Sequence, residues 1–539
     1  MAQNSSREPL TWAERVAGVI RQSSTRHIGV VPVYYPILEG LGLRATVNEV
    51  CSGGRKIDLG RMALILTLNR LMAPQPLYRI GPWVGQTILP DLLCVCVDQL
   101  YDKRLARALD ALHPCLGELW TRLVIGAIQQ EGIDLSVLHW DTTTFYFEGQ
   151  YSHSELARYG HSSDDKPKCK QAKIGYDVTH VDRLPFLYHL LAGNRTDVTL
   201  PVFNLETVVD MLHRPEFGGS TVHPLIVSDG KMVTPPLVAA AHDNDVYYLG
   251  PWENTTAVKD TLRSVNHEEL AAHQLAYRPH RLVNDVDFEP YQGVWRSFSV
   301  THKGRTFADR GLVVWSESNQ RLDEEKRKHY LKALLNRLRE IQGYLNTGRY
   351  IRKDYTAQQI MLAQRRNPAQ SLVDVDLSGQ DRALTLTFAI NRQELAEAIA
   401  LDGKYLLGTN HPHLTAEQAL TYFKGQDRIE KRNGVLKGPL QVRPIYLQND
   451  QRIAGMVFIN MVALLAWSIL ERRCQRAGLP YTGQRILNEF APLHATDQTF
   501  ADGSRLCQAG DVSDFQQAVL NGLQFPPVEA YLAVPPPVD

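Results

Sequence analysis

The spacing of apolar residues separates a helical first part of the chain from a mixed second part. In residues 62–73 (MALILTLNRLMA) and again in residues 102–132, apolar side chains recur three and four positions apart. That spacing places them on one face of an α-helix. The pattern therefore predicts a mostly helical domain over residues 1–134.

Runs typical of β-strands begin near residue 135. β-branched and aromatic residues, which favour strands, are concentrated in residues 136–151, 172–181, 184–193, 223–230 and 246–250. Helical periodicity returns near residues 199–213 and again after the fourth run. Three successive strands followed by alternating strands and helices are the element order of a ribonuclease H-like domain. We therefore expect an α/β fold with such a core.

Residues 253–400 interrupt this alternation. The run 293–316 predicts a β meander with turns at Lys303-Gly304 and Arg310-Gly311, and a charged helix follows it. From Arg321 to Lys353 there are ten Lys/Arg against four Asp/Glu. A solvated helix face and a DNA-facing surface both explain this excess. We expect an insertion domain built from strands and helices.

The charge balance limits how the chain can bind nucleic acid. Its 539 residues include 58 basic and 58 acidic side chains. A protein that coats nucleic acid non-specifically would carry a net positive charge. A DNA-binding protein of this composition must therefore cluster its cations, and residues 421–476, with ten Lys/Arg against four Asp/Glu, are a second such cluster.

Cysteine usage and the apolar run at residues 453–470 bear on the cell compartment. The seven cysteines include no CxxC pair, which predicts reduced thiols rather than a zinc ribbon or disulfides. The run IAGMVFINMVALLAWSIL is at the lower limit for a membrane span. We expect it to be a buried core helix of a cytoplasmic protein without membrane association, with a membrane protein as the alternative. The polar N-terminus lacks the apolar core of a signal peptide.

Three acidic residues are candidates for catalysis. Asp141 lies within a predicted strand, and Asp229 ends the apolar run PLIVSD. A carboxylate at the end of a buried strand must be hydrogen-bonded, paired or metal-bound, because an unpaired buried charge is costly. The third candidate, Glu430, lies in residues 415–440, which the pattern predicts to be one helix. At 100° per residue, Tyr422, Gln426, Glu430 and Lys437 share one face of that helix.

Four segments carry a resemblance to a known family. They are residues 59–80 (LGRMALILTLNRLMAPQPLYRI), 138–149 (LHWDTTTFYFEG), 225–232 (LIVSDGKM) and 422–473, which begins YFKGQDRIEKRNGVLKGPL. In this order they resemble the leading helical domain, the two aspartate blocks and the glutamate block of DDE transposases in the insertion sequence four superfamily. The resemblance is to the group with a long insertion before the glutamate. The candidate carboxylates are 88 and 201 residues apart, which agrees with such an insertion.

The resemblance implies a set of functional residues and partners. Asp141, Asp229 and Glu430 would be the catalytic residues and would bind Mg²⁺ or Mn²⁺, two ions in all. Lys437, Tyr422, Arg428 and Arg432 would contact DNA. The substrate would be double-stranded DNA, namely the terminal inverted repeats of the element and its target, cut and joined by a homodimer in a synaptic complex at the bacterial nucleoid.

The resemblance also divides the chain and leaves two alternatives open. The predicted parts are a DNA-end-binding domain (1–134), the first part of the ribonuclease H-like core (135–252), the insertion (253–400), the glutamate helix with a core helix (401–476), and a C-terminal extension (477–539). Gln426 stands where the superfamily has arginine. A decayed or domesticated transposase that only binds DNA therefore remains an alternative, as does a ribonuclease H-like nuclease without strand transfer.

Overall fold

The computed structural model describes most of the chain. The described residues are 20–51, 57–160, 166–195, 199–217, 222–229, 233–277, 290–443, 445–500 and 505–532. Residues 534–539 (VPPPVD), whose composition is typical of a disordered tail, lie outside them.

Thirteen strands are present in these ranges. They are β1 (Ile20–His27), β2 (Val137–Tyr146), β3 (Gln171–Thr179), β4 (Pro185–Ala192), β5 (Leu225–Val227), β6 (Tyr247–Pro251), β7 (Gln292–His302), β8 (Arg305–Trp315), β9 (Val373–Gln380), β10 (Ala383–Ile390), β11 (Lys404–Thr409), β12 (His494–Phe500) and β13 (Arg505–Ala509).

Nineteen α-helices are present in the same ranges. They are α1 (Val31–Gly40), α2 (Leu43–Val50), α3 (Leu59–Met72), α4 (Leu77–Gly85), α5 (Leu89–Leu92), α6 (Asp102–Leu112), α7 (Leu116–Glu131), α8 (Leu200–Leu212), α9 (Pro235–Asp243), α10 (Thr256–Arg263), α11 (His267–Ala271), α12 (Glu317–Gly343), α13 (Lys353–Arg365), α14 (Arg392–Leu401), α15 (Ala416–Lys424), α16 (Asp427–Lys437), α17 (Asp450–Arg476), α18 (Gly483–Phe490) and α19 (Asp514–Gly522).

The mixture of strands and helices confirms the predicted α/β class, and the contacts divide the chain into two compact units. Unit 1 comprises residues 1–199, 206–224 and 425–539, and unit 2 comprises residues 200–205 and 225–424. The predicted boundary at residue 134 falls inside unit 1. Residues 477–539, predicted to be an extension, also belong to unit 1, where β12 pairs with β1 and β13.

Unit 1 contains an antiparallel array in the order β4-β3-β2. Its register places Asp141 opposite Tyr176 and Thr142 opposite Gly175. The Trp140 indole fills the space beside Gly175, where a Cβ would lie 2.4 Å from the ring. All nine residues of β3 are buried, including the polar side chains of Gln171, Lys173 and Asp177.

The apolar helix α17 forms the core of unit 1. Of the helices in the part of the chain that the structure describes, it alone has the length and apolar composition of a membrane span, and 94% of its apolar window is buried inside the protein. The last turn is held by the buried carboxylates of Glu131 and Asp182, which pair with Arg472. Arg473 pairs with Glu131 at 2.7 Å. The prediction of a buried core helix is confirmed.

Unit 2 contains strands in the order β5-β6-β11-β8-β7, with β5 and β6 parallel and the other neighbours antiparallel. Helices α12 and α13 and the hairpin β9-β10 enclose a second, smaller core that includes Leu334, Leu338, Ile341 and Leu386. These two helices and this hairpin lie within residues 253–400, but the boundaries predicted at residues 253 and 400 both fall inside unit 2.

One of the two predicted turns in unit 2 is wrong. The turn at Lys303-Gly304 joins β7 to β8 as expected. Arg310 and Gly311, however, lie within β8, and Gly311 pairs with Gly408 on β11. A Cβ on Gly311 would lie 2.8 Å from the Leu406 side chain. The glycine makes room for a neighbouring side chain in the sheet, a role that turn statistics cannot distinguish from a turn.

Candidate active site

Asp141 on β2 is held by hydrogen bonds to both carboxylate oxygens. The backbone N–H of Thr142 donates to Oδ1 at 2.7 Å, and the side-chain amide of Asn433 on α16 donates to Oδ2 at 3.2 Å. The Tyr176 hydroxyl donates to Asn433 Oδ1 at 2.8 Å. Because Tyr176 occupies the amide oxygen, the NH₂ group of Asn433 must point towards Asp141.

Tyr176 remains a hydrogen-bond donor over the physiological pH range. Its ring is fully buried. Burial raises the pKa of the hydroxyl well above its ordinary value, and the charge of Asp141 raises it further. Tyr176 therefore donates to Asn433, and Asn433 donates to Asp141, throughout this pH range. These two hydrogen bonds orient the Asp141 carboxylate without neutralising it.

A second side-chain amide connects α16 to β2 one residue before Asp141. Gln426 donates from Nε2 to the Trp140 carbonyl at 2.8 Å, and its Oε1 lies 3.0 Å from His139 Nδ1. His139 Nε2 lies 2.8 Å from His180 Nδ1. Because the oxygen of Gln426 can only accept, His139 must carry its proton on Nδ1 and accept from His180 through Nε2.

Lowering the pH below about 6.5 is expected to destabilise unit 1 through His139. Burial lowers the pKa of His139 to about 3, whereas the unfolded side chain titrates near 6.5. The unfolded chain therefore binds a proton that the folded chain excludes, and the free energy of unfolding falls as the pH drops from about 6.5 towards 4. The slope from this residue approaches ~1.4 kcal/mol per pH unit. Urea unfolding at several pH values measures it.

The control for this experiment is a second histidine variant. In His139→Asn the free energy of unfolding is expected to depend much less on pH than in the wild type. His153→Asn, at an exposed position, is expected to keep the wild-type dependence. Identical slopes in the wild type and His139→Asn would contradict the assignment.

Glu430 lies between the two amides on α16. Residues 426, 430, 433 and 437 fall within about 60° on a helix, and Gln426 and Asn433 both contact β2. Glu430 is therefore on the face that carries the contact to Asp141, and it is exposed. Lys437, half-buried, is two turns further along the same face. Glu430 in the first turn and Lys437 in the last also complement the helix dipole.

The predicted single helix over residues 415–440 is wrong. The segment instead forms two helices, α15 in unit 2 and α16 in unit 1, with a turn at Gly425-Gln426 between them. Glycine is a poor helix residue because ordering its backbone costs more entropy than for any other residue. Tyr422 therefore does not lie on the helix that carries Glu430, and the shared face predicted for these residues holds only from Gln426 onwards.

Arg432 cannot serve as the predicted DNA contact. Its side chain is 2% exposed, and it forms an ion pair with Glu471 at 2.7 Å and donates to the Arg183 carbonyl at 2.8 Å. A helix that packs on a core must bury one face, and residue 432 lies on that face. Arg428 is half-buried, and its charge lowers the pKa values of His139 and His180, behind the larger effect of burial.

Asp229 lies two residues after the end of β5 in unit 2, and its side chain is half-buried. Asp141 and Glu430 belong to unit 1. Three carboxylates offer the hard oxygen ligands that Mg²⁺ and Mn²⁺ prefer, so the donor chemistry fits such ions. Over the described ranges, no three His, Cys, Asp or Glu side chains are already gathered in a metal-holding group.

Much of the predicted basic surface is neutralised internally. In residues 421–476, Lys431, Arg452 and Arg473 form ion pairs with Asp427, Asp110 and Glu131, in addition to the buried arginines described above. In the Arg321–Lys353 segment, four of the ten cations pair with acids within unit 2. The other six cations of that segment are exposed and have no carboxylate partner in the described ranges: Lys326, Lys332, Arg339, Arg349, Arg352 and Lys353.

Asn433, Tyr176, His139 and His180 did not emerge from the sequence as site residues. Asn433 carried a signal, since it is seven residues after Gln426 and therefore on the same helix face. Tyr176 and His180 carried none, because their roles depend on the register between β2 and β3 and on the turn that follows β3.

The chain is similar to a solved transposase structure at low sequence identity. No protein-family model and no curated protein matches it. Among solved structures, it is similar to a piggyBac transposase synaptic complex with hairpin DNA, determined by cryo-EM. The identity is 9%, the match covers 87% of this chain and 82% of that chain, and the TM-score is 0.40.

Proposed function

We propose that this chain is a DDE transposase of the insertion sequence four superfamily, with a ribonuclease H-like core, which cuts and rejoins the ends of an insertion sequence. The observation that carries the proposal is the attachment of α16 to β2. Gln426 and Asn433 bind the strand of Asp141 on either side of Glu430. The sequence segments that contain Asp141 and Glu430 are therefore in direct contact through these hydrogen bonds.

The three carboxylates have distinct places in the proposal. Asp141, Asp229 and Glu430 would hold Mg²⁺ or Mn²⁺, two ions in all. When bound, such ions lower the pKa of an attacking water or 3′-hydroxyl and stabilise the charge on the leaving oxygen. The protein itself must hold its carboxylates in a fixed orientation. At Asp141, the Asn433 amide and the Thr142 N–H do this through their hydrogen bonds.

Gln426 has a structural role beside the proposed site. It replaces the arginine of the superfamily signature, yet both polar groups of its amide are used in holding α16 against β2. Lys437, Arg428 and Tyr422 remain the proposed DNA contacts, and the partners are inverted-repeat and target DNA bound by a homodimer at the bacterial nucleoid.

The test is cleavage and strand transfer on labelled DNA that carries the element's own ends. With Mg²⁺ or Mn²⁺ we expect nicking at the ends and joining to a target plasmid, and with EDTA we expect binding without cleavage. Cleavage without joining would replace the proposal by a ribonuclease H-like nuclease. End-specific binding without cleavage in either metal would replace it by a decayed transposase.

A further inference from the structure

A cavity of about 540 Å³ in unit 1 has no role in the proposed reaction. It lies between the loop from α3 to α4, residues 441–443 and 445–447, and α17. Its volume is within the range of small-molecule sites, about 300–1,000 Å³. Leu77, Val442 and Met456 contribute apolar wall, which suits a ligand with an apolar or planar body.

The cavity wall contains a buried cation without a counter-ion. The Arg70 side chain is 8% exposed and lines the cavity. It donates to Asn69 Oδ1 at 2.7 Å and to the Gln75 carbonyl, both uncharged acceptors. No carboxylate among the residues that the structure describes pairs with it. A buried charge is costly when it is not paired, so this position calls for an anion.

Arg70 remains charged at neutral pH. Burial lowers its pKa only to about 10. The electrostatic demand for an anion is therefore present under physiological conditions, and the cavity is the space that an anion can enter.

The rest of the lining adds charge and aromatic surface at the rim. Arg79 and Arg443 line the cavity, and the Arg443 guanidinium stacks over the Tyr146 ring at 5.6 Å. Asp102 is the one acidic residue among the described residues of the lining, where cations outnumber acids by three to one. Tyr78 and Tyr446 also line it and are 64% and 59% exposed, unusually open for tyrosine.

Deeper in the wall, Asn460 offers an unused acceptor. It is 1% exposed, its Nδ2 donates to the Met456 carbonyl, and its Oδ1 accepts no hydrogen bond from the described residues. A buried amide oxygen without a donor is uncommon in folded proteins. A ligand that brings an N–H group would satisfy it.

We propose that this cavity binds one nucleotide, with its phosphate paired to Arg70 and the rim arginines and its base against the apolar wall and the tyrosines. A base amino group would then satisfy Asn460. A nucleotide supplies an anion for the arginines, a planar ring for the apolar and aromatic wall, and an N–H donor for Asn460. Such a nucleotide can be free, or it can be an unpaired residue of a DNA strand. The site is separate from the proposed metal ligands.

The test is calorimetric binding to the full chain in EDTA, which keeps the outcome independent of DNA cleavage. The probes are dAMP, deoxyadenosine, inorganic phosphate and single-stranded hexadeoxyadenylate. We expect dAMP or the hexanucleotide to bind at least about tenfold more tightly than phosphate or deoxyadenosine, because the charged and the planar contacts act together. Equal affinity for dAMP and the hexanucleotide identifies a free nucleotide as the ligand, and tight binding of the hexanucleotide alone identifies a DNA strand.

Variants of the cavity test its residues. Arg70→Met is expected to weaken binding at least about tenfold through loss of a charge-assisted contact. Arg443→Gln and Tyr446→Ala, at the rim, test the site if Arg70→Met does not fold. Arg476→Gln, an exposed arginine of unit 1 away from the cavity, is the matched control. Wild-type affinity in both Arg443→Gln and Tyr446→Ala, or binding of phosphate as tight as that of either nucleotide probe, would overturn the proposal.

Discussion

Asp141→Asn is expected to lower the rate of DNA cleavage at least about a thousandfold while leaving the chain folded. A metal-bound carboxylate contributes several kcal/mol to transition-state stabilisation, and each ~1.4 kcal/mol is a factor of ten in rate. Asparagine has the same shape and can still accept a hydrogen bond from the Thr142 N–H, so β2 should be retained. Cleavage of labelled end DNA under single-turnover conditions measures the rate, and circular dichroism checks the fold.

The same assay compares the other carboxylates and a positioning residue. Asp229→Asn and Glu430→Gln are expected to cause losses of similar size. Asn433→Leu leaves all three charges in place but removes the amide donor to Asp141. We expect it to lose about 10–100-fold, as outer-shell changes do, with an increased requirement for Mg²⁺ that a purely structural defect would not produce.

Asp134→Asn is the control for these carboxylate variants. Asp134 is exposed just before β2, where it accepts hydrogen bonds from Ser136. Wild-type cleavage by this variant is expected. If Asp141→Asn or Glu430→Gln cleaves at the wild-type rate, that residue is not a metal ligand of this reaction.

Arg432→Met is expected to reduce the free energy of unfolding by about 3–5 kcal/mol, the usual cost of removing one partner of a buried ion pair. Glu471 would keep its charge in a buried site without a cation. Its Oε1 also accepts from the Trp467 indole and from the Gly483 N–H, each at 3.0 Å. The pair therefore joins α16 to α17 and to the start of α18. Equilibrium unfolding in urea measures the loss.

The pH dependence of that loss identifies its cause. Burial by itself raises the pKa of Glu471, but the charge of Arg432 and the hydrogen bonds bring it below its ordinary value. Without Arg432 the folded pKa should rise above the unfolded one. Stability is then lost as the pH rises through that range, so the variant should be less impaired at about pH 5 than at about pH 8. A loss independent of pH would indicate a packing defect instead.

Lys431→Met is the matched control for Arg432→Met. Lys431 is adjacent on α16, is exposed, and pairs only with Asp427 one turn away among the described residues. Such surface pairs contribute about 0–1 kcal/mol, so we expect little change. End-DNA binding per folded molecule should be unchanged in Arg432→Met, because its side chain is only 2% exposed. A specific loss of DNA binding would restore the original prediction for this arginine.

The sequence by itself determined the elements whose patterns are local. Strands β2, β3 and β4 and helix α17 follow from runs of β-branched, aromatic or apolar residues, because burial on one or both faces dictates those residue types over many consecutive positions. It also determined the α/β class, since the order of elements restricts the layers that can form. The candidate carboxylates come from the same local patterns together with the family resemblance.

Only the tertiary structure decided which side chains work together. The periodicity of residues 415–440 continues across Gly425, although the chain divides there into two helices that belong to different units. Arg432 and Lys431 are adjacent cations of similar propensity, yet one is buried against Glu471 and the other is exposed. The bond from Asn433 to Asp141 joins residues 292 positions apart. Such contacts depend on register and packing between distant segments, and a pattern read along one segment contains no information about its partner.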